Sequence, residues 1–154
     1  YIQRIAQLTN KSNQFNLTTL RCSEDDIRAM AGDKNDLCLC GKLVDKFGDN
    51  GIVTVVAGRQ QGDVLDLTLW LMSCRVLKRG MEDAMMDTVV AEAAARGVKT
   101  IVGHYYPTAK NAMVREFYAQ YDFAKTAEDA DGNTEWTLDV AAYTPKHPHM
   151  KIER

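Results

Sequence analysis

Residues 65–80 read LDLTLWLMSCRVLKRG and run directly into MEDAMMDTVVAEAAARG at 81–97. Leu65, Leu67, Leu69 and Leu71 alternate with Asp66, Thr68, Trp70 and Met72. That period of two predicts a strand with an all-leucine face turned to a core. At Ser73 the alternation stops, and Met81, Ala84, Met85, Val89 and Ala93 then recur at helical spacing. A strand therefore feeds a helix through Arg75 to Gly80, a basic turn that ends in glycine. The first turn of such a helix has backbone N–H groups without partners and about half a positive charge from the macrodipole. A phosphate or pyrophosphate is the natural ligand for that junction.

Working outward, Leu37 to Phe47 and Ile52 to Gly58 read as a hairpin turned at Asp49-Asn50-Gly51, and Gln60 to Asp63 turns the chain into the leucine strand. The three strands form an antiparallel meander. Ile2, Ile5, Leu8 and Phe15 predict a short opening helix within residues 1–15. Asn16 to Cys22 has strand propensity, and Ser23 followed by Asp26 has the shape of a capping box that starts a second helix. Gly97 closes the long helix, and Lys99 to Tyr105 is the next strand. A strand–helix–strand crossover makes this strand a parallel neighbour of the leucine strand. Asn111 to Tyr121 reads as a helix, Ala124 to Glu128 and Glu135 to Val140 as a last hairpin, and 143–154 as an irregular tail.

With 154 residues, 45% hydrophobic and 26% charged, one domain spanning 1–154 with a core of its own is expected. Nineteen basic against twenty-one acidic side chains give a net charge of −2, so nothing draws the chain as a whole to nucleic acid or to a membrane. Basic character is local, at Arg75, Lys78 and Arg79. No apolar run approaches membrane-spanning length, and a cytoplasmic protein is the expectation. Cys22, Cys38, Cys40 and Cys74 form no C-x-x-C and have no histidine at ligand spacing. We read them as buried thiols and expect no metal in this domain.

Arg75-x-x-Lys78-x-Gly80 resembles the Q/R-x-x-G-x-G/A phosphate-binding signature of the GNAT acyltransferase superfamily, and Asn111-Ala-Met-Val-Arg-Glu-Phe117-Tyr118-Ala-Gln-Tyr-Asp-Phe123 resembles its N-x-x-A-x-x-F-Y-x-x-x-G-F segment. Lys78 and Asp122 stand where that pattern has glycine. The resemblance implies a mixed α/β (α+β) GNAT-like acyl-CoA acyltransferase fold, a central mixed sheet with helices on both faces. It also implies that coenzyme A, acyl-CoA or a phosphopantetheine arm binds at Met72 to Gly80, with the arm in a gap where the leucine strand and its parallel neighbour splay apart. Met72, Ser73, Arg75, Val76, Lys78, Arg79 and Gly80 are then binding residues, with Asn111 a contact to the pantetheine or ribose end.

A narrower resemblance covers most of the chain. The stretches from Gln7 to Thr19, Asp45 to Gly51, Leu71 to Leu77 and Tyr106 to Asn111 are similar to the C-terminal part of FkbH-like proteins. There a HAD-type phosphatase-like domain precedes a GNAT-like domain, and a glyceryl unit is loaded onto an acyl carrier protein for methoxymalonyl building blocks in polyketide biosynthesis. The resemblance implies an acyltransferase, or part of a bifunctional glyceryl transferase/phosphatase, with a carrier protein as partner. It also implies an upstream HAD-like domain that the opening helix would join, which would account for a chain that begins at Tyr1. The rival reading is a non-catalytic module that docks a carrier protein. A third is a fold that keeps only an interdomain or dimer-supporting role.

Acyl transfer from a thioester needs a base for the acceptor and a proton for the leaving thiolate. The superfamily resemblance assigns the proton to Tyr118, whose alternative is a core tyrosine on an apolar face. Asp66, on the face opposite the leucines, is the general-base candidate, and its alternative is a solvated strand residue. Cys74 lies beside Arg75 at a helix start, where positive charge and dipole favour a thiolate nucleophile able to carry an acyl group, against a buried structural thiol. Asn111 is equally well an N-cap. His104 leaves its strand near the expected cleft and reads as a core or rim histidine.

Overall fold

The computed structural model describes residues 2–11, 16–18, 23–32, 35–45, 48–73 and 81–145. In chain order the elements are α1 (Ile2–Lys11), α2 (Glu24–Gly32), β1 (Asp36–Asp45), β2 (Gly48–Gln61), β3 (Val64–Met72), α3 (Met81–Ala95), β4 (Thr100–Tyr105), β5 (Ala124–Glu128) and β6 (Thr134–Asp139). They form one six-stranded sheet in the order β1-β2-β3-β4-β6-β5. The expected meander, the parallel β3–β4 pair and the final hairpin are all present.

Local chemistry sets the helix ends. Ser23 and Asp26 form a reciprocal capping box: the Asp26 N–H donates to Ser23 Oγ at 3.1 Å and the Ser23 N–H to Asp26 Oδ2 at 2.9 Å. At the end of α3, Gly97 takes φ +77°, its N–H bonds to the Ala94 carbonyl and that of Val98 to the Ala93 carbonyl. Those are the paired bonds of a Schellman motif.

Strand β3 departs from the expected single leucine face. Ala57 pairs with Leu69 and Gly58 with Leu67, which leaves Thr68 as an extra residue, a β-bulge. Parity therefore switches within the strand. Leu65 and Leu67 join Trp70 and Met72 in the core under α3, whereas Leu69 and Leu71 pack with Ile5, Leu8 and Ile27 from α1 and α2 on the other face. Gly58 allows the kink, because a Cβ there would lie 2.7 Å from the Asp66 carbonyl oxygen. The sheet is thus covered by helices on both faces.

Three other expectations need correction. Asp49 pairs with Val44 and Gly48 with Asp45, so Asp49 to Gly51 belong to β2 rather than to a turn, and Gly51, at φ +71°, sits in an irregular stretch of that strand, the bulge geometry glycine permits. Residues 111–121 are not an α-helix but two 3-10 turns, Ala112–Val114 and Tyr118–Tyr121. Val114 with Phe117, and Tyr118 with Tyr121, are each three residues apart and buried together, which a three-residue turn stacks better than one of 3.6. Finally, Cys40 is exposed and Cys38 half-buried on β1, the edge strand of the sheet, and neither is in a disulfide. Among the described residues, no helix is long and apolar enough to cross a membrane.

Candidate active site

Strands β3 and β4 are paired only from Val64 with Thr100 to Leu67 with Gly103. Beyond that point they part, and two of the candidate residues meet beside the parting. Asp66 and His104 project from the same face, and His104 Nε2 lies 2.6 Å from Asp66 Oδ1. The Asp66 side chain is 46% exposed and that of His104 19% exposed. In the tautomer whose Nε2–H donates to Asp66 Oδ1, the Nδ1 lone pair is left for a substrate proton. Beside His104 an open cavity of about 280 Å³ is lined by His104, Tyr106, Glu128, Asp129, Thr134 and Glu135, among others. The Asp66–His104 contact crosses strands, so only the β3–β4 register brings it together. Neither residue's sequence context announces it.

Tyr118 lies on the other side of the sheet, beneath Gly103 and almost fully buried. Its ring meets Phe123 at a centroid distance of 4.8 Å, Phe117 at 5.4 Å and Trp70 at 6.4 Å. Burial first, and then the charge of Asp66, push its hydroxyl well above the ordinary tyrosine range. A hydroxyl so placed stays protonated at neutral pH. Trp70, edge-on to this tyrosine and tilted against Phe117, has a fully buried indole N–H with no hydrogen-bond partner among the described residues.

Asn111 is fully buried and its side chain is spent inside the protein. Nδ2 donates to the carbonyls of Asn16 at 3.0 Å and Tyr106 at 2.9 Å, while Oδ1 accepts from the Thr108 N–H at 2.7 Å and from Tyr105 Oη at 3.2 Å. It holds the N-cap position of the first 3-10 turn, but its side chain makes no capping bond. Met72 is buried and paired with Thr54, and the Ser73 N–H donates to the Val53 carbonyl at 2.7 Å. Cys74, Arg75, Val76, Lys78, Arg79 and Gly80 lie outside the described residues.

The gap beyond Gly103 is filled by the chain itself. Asn16 bridges antiparallel to Leu71, the Leu17 N–H donates to the Trp70 carbonyl at 3.0 Å, and Thr18 Oγ1 donates to the Thr68 carbonyl at 2.8 Å. On the other side, the Tyr106 N–H donates to the Leu17 carbonyl at 2.8 Å. Leu17 is fully buried in the core under α3. Sequence reading gave residues 16–22 strand propensity but no place in the fold.

A bulged β3, a parallel β4 that parts from it, and a crossover helix between them define the GNAT acyltransferase fold. Among solved structures the chain is similar to the ribosomal-protein-S18-alanine N-acetyltransferase from Escherichia coli, at 14% identity over 90% of this chain and 87% of that one, with a TM-score of 0.66. It is also similar to the GNAT domain of S. lividans PAT, at 16% identity, 90% and 84% coverage and a TM-score of 0.67. A third similar structure is Rv2747 from Mycobacterium tuberculosis in complex with CoA and NLQ, at 13% identity, 90% and 93% coverage and a TM-score of 0.67. By sequence the chain matches no protein-family model and no curated protein.

Proposed function

We propose that this domain is an acyltransferase that takes its acyl group from a thioester, coenzyme A or the phosphopantetheine of a carrier protein, with Asp66–His104 as its base. The observation that carries the reading is the 2.6 Å contact between His104 and Asp66 at the parting of β3 and β4, beside an open cavity. His104 takes the acceptor's proton at Nδ1, and Asp66 holds the ring in the tautomer that leaves Nδ1 free. Tyr118, kept protonated by burial, is the donor for the departing sulfur. The bound thioester supplies only the activated acyl carbonyl. Acidic Glu128, Asp129 and Glu135 around the cavity favour an acceptor carrying a positive charge or several hydroxyls.

The FkbH-like stretches extend this reading to glyceryl transfer onto an acyl carrier protein, with an upstream HAD-like domain as partner. The rival, a docking module without chemistry, is favoured by one observation: Asn16–Thr18 occupy the gap where the carrier arm is expected. Titration calorimetry with coenzyme A, acyl-CoA and a phosphopantetheinylated carrier protein is the first test, and no binding by any of them, to the wild type or to a variant with the Asn16–Thr18 contacts weakened, overturns the proposal. Given binding, Asp66→Ala is expected to lower transfer by the full-length protein about 10²-fold and His104→Gln by about 10²- to 10⁴-fold, with carrier affinity kept. Undiminished transfer in both variants selects the docking module.

A further inference from the structure

Residues 16–18 run through the place where two parallel neighbours separate, with Asn16 in an isolated antiparallel bridge to Leu71. Adjacent strands sit about 4.8 Å apart, so a chain that bonds to β3 on one side and to Tyr106 on the other spans the whole opening. The contacts are main-chain ones: Leu17 N–H to Trp70 O, Tyr106 N–H to Leu17 O, and beside them Thr18 Oγ1 to Thr68 O. The Asn111 side chain clamps the piece by its Asn16 carbonyl. A phosphopantetheine arm is a linear chain with two amide groups, each offering one donor and one acceptor. It can satisfy the same backbone groups but cannot share them.

We infer that Asn16–Thr18 is an intramolecular strap that competes with the thioester carrier for the gap between β3 and β4, so that the domain as described is the closed form. The inference rests on the acyl-carrier reading of the site and specifies its regulation. Carrier affinity is then the intrinsic affinity reduced by the fraction of molecules whose strap is out. The strap is held by hydrogen bonds each worth about 0.5–1.5 kcal/mol and by burial that includes Leu17.

The test is hydrogen exchange by NMR, with and without saturating coenzyme A, on the intact domain, together with calorimetry on the wild type, Thr18→Val and Leu17→Ala. Thr18→Val deletes one strap bond with little change of volume, which guards against Leu17→Ala failing to fold. Coenzyme A should abolish protection of the Leu17 and Tyr106 amides while the Leu69 amide stays protected. Thr18→Val should bind about two- to tenfold more tightly than the wild type. Binding by the strap variants alone also supports the strap. Binding that leaves both amides protected and Thr18→Val unchanged overturns the strap and spares the acyl-carrier reading. If neither the wild type nor either strap variant binds coenzyme A or a phosphopantetheinylated carrier protein, both readings fall.

Discussion

The ring of Tyr118 occupies the space that a side chain on Gly103 would need: a Cβ built on Gly103 would lie 2.5 Å from Tyr118 Cζ. No rotation relieves this, because the tyrosine is wedged among Trp70, Phe117 and Phe123. Gly103→Ala must therefore push the ring or bend β4, and overpacking of this kind costs about 1–3 kcal/mol. We expect a loss near the upper end in urea unfolding. Tyr118→Phe in the Gly103→Ala background should recover none of it, since the clash is with ring carbons. Full recovery would place the conflict at the hydroxyl instead.

Burial raises the hydroxyls of Tyr118, Tyr121 and Tyr143 above the ordinary tyrosine range. The hydrogen bonds of Tyr121 to Asp83 and of Tyr143 to Asp87 add to the effect. The unfolded chain loses these protons near pH 10 while the folded protein keeps them. Above that pH the native state binds more protons, so stability falls as pH rises, and the contribution is fully present below it. For the fully buried Tyr118 the slope approaches about 1.4 kcal/mol per pH unit. Urea midpoints at pH 9, 10 and 11 should fall more steeply for the wild type than for Tyr118→Phe. Parallel declines would contradict this account.

Asp122 is the one non-glycine residue with positive φ among the described residues, at +70°, and it ends the second 3-10 turn. Left-handed backbone costs an L-residue about 1–2 kcal/mol, less for Asp, and glycine offsets part of its own gain through chain entropy of about 0.5–1 kcal/mol. We expect Asp122→Gly to be more stable by about 0.5 kcal/mol, and Asp122→Val less stable by about 1–2 kcal/mol because branching at Cβ opposes positive φ. The reverse order in thermal unfolding would show that side-chain contacts of Asp122 outweigh its backbone strain.

This same position shows what could be read in advance. Asp122 stands where the GNAT pattern has glycine, and a pattern glycine marks a backbone need that survives the substitution. Period-two and period-3.6 spacing located most of the sheet and α3, because burial of one face leaves its trace in every second or fourth residue. The bulge at Thr68 left no such trace: the alternation in the sequence continues through it, and only the pairing with Gly58 reveals the switch of faces. Asp66 with His104 and Leu17 with Trp70 and Tyr106 are contacts between distant segments, set by strand register and strand divergence. Residue type alone does not encode either.

Asn111 joins these two lessons, since the resemblance implies a ligand contact while its amide is already committed on all sides. Truncation in Asn111→Ala strands the carbonyls of Asn16 and Tyr106 and the Thr108 N–H in or near the interior. Each buried polar group left without a partner costs about 1–3 kcal/mol, and entry of water offsets part of the sum. We expect a loss of about 3 kcal/mol in urea unfolding without any ligand, larger than for Asp66→Ala, whose carboxylate is half exposed. Because the Asn16 carbonyl is released at the same time, the strap should loosen, and the Leu17 amide should exchange faster in Asn111→Ala without ligand. A variant of wild-type stability with an unchanged Leu17 amide but weaker coenzyme A binding would instead make Asn111 a ligand contact.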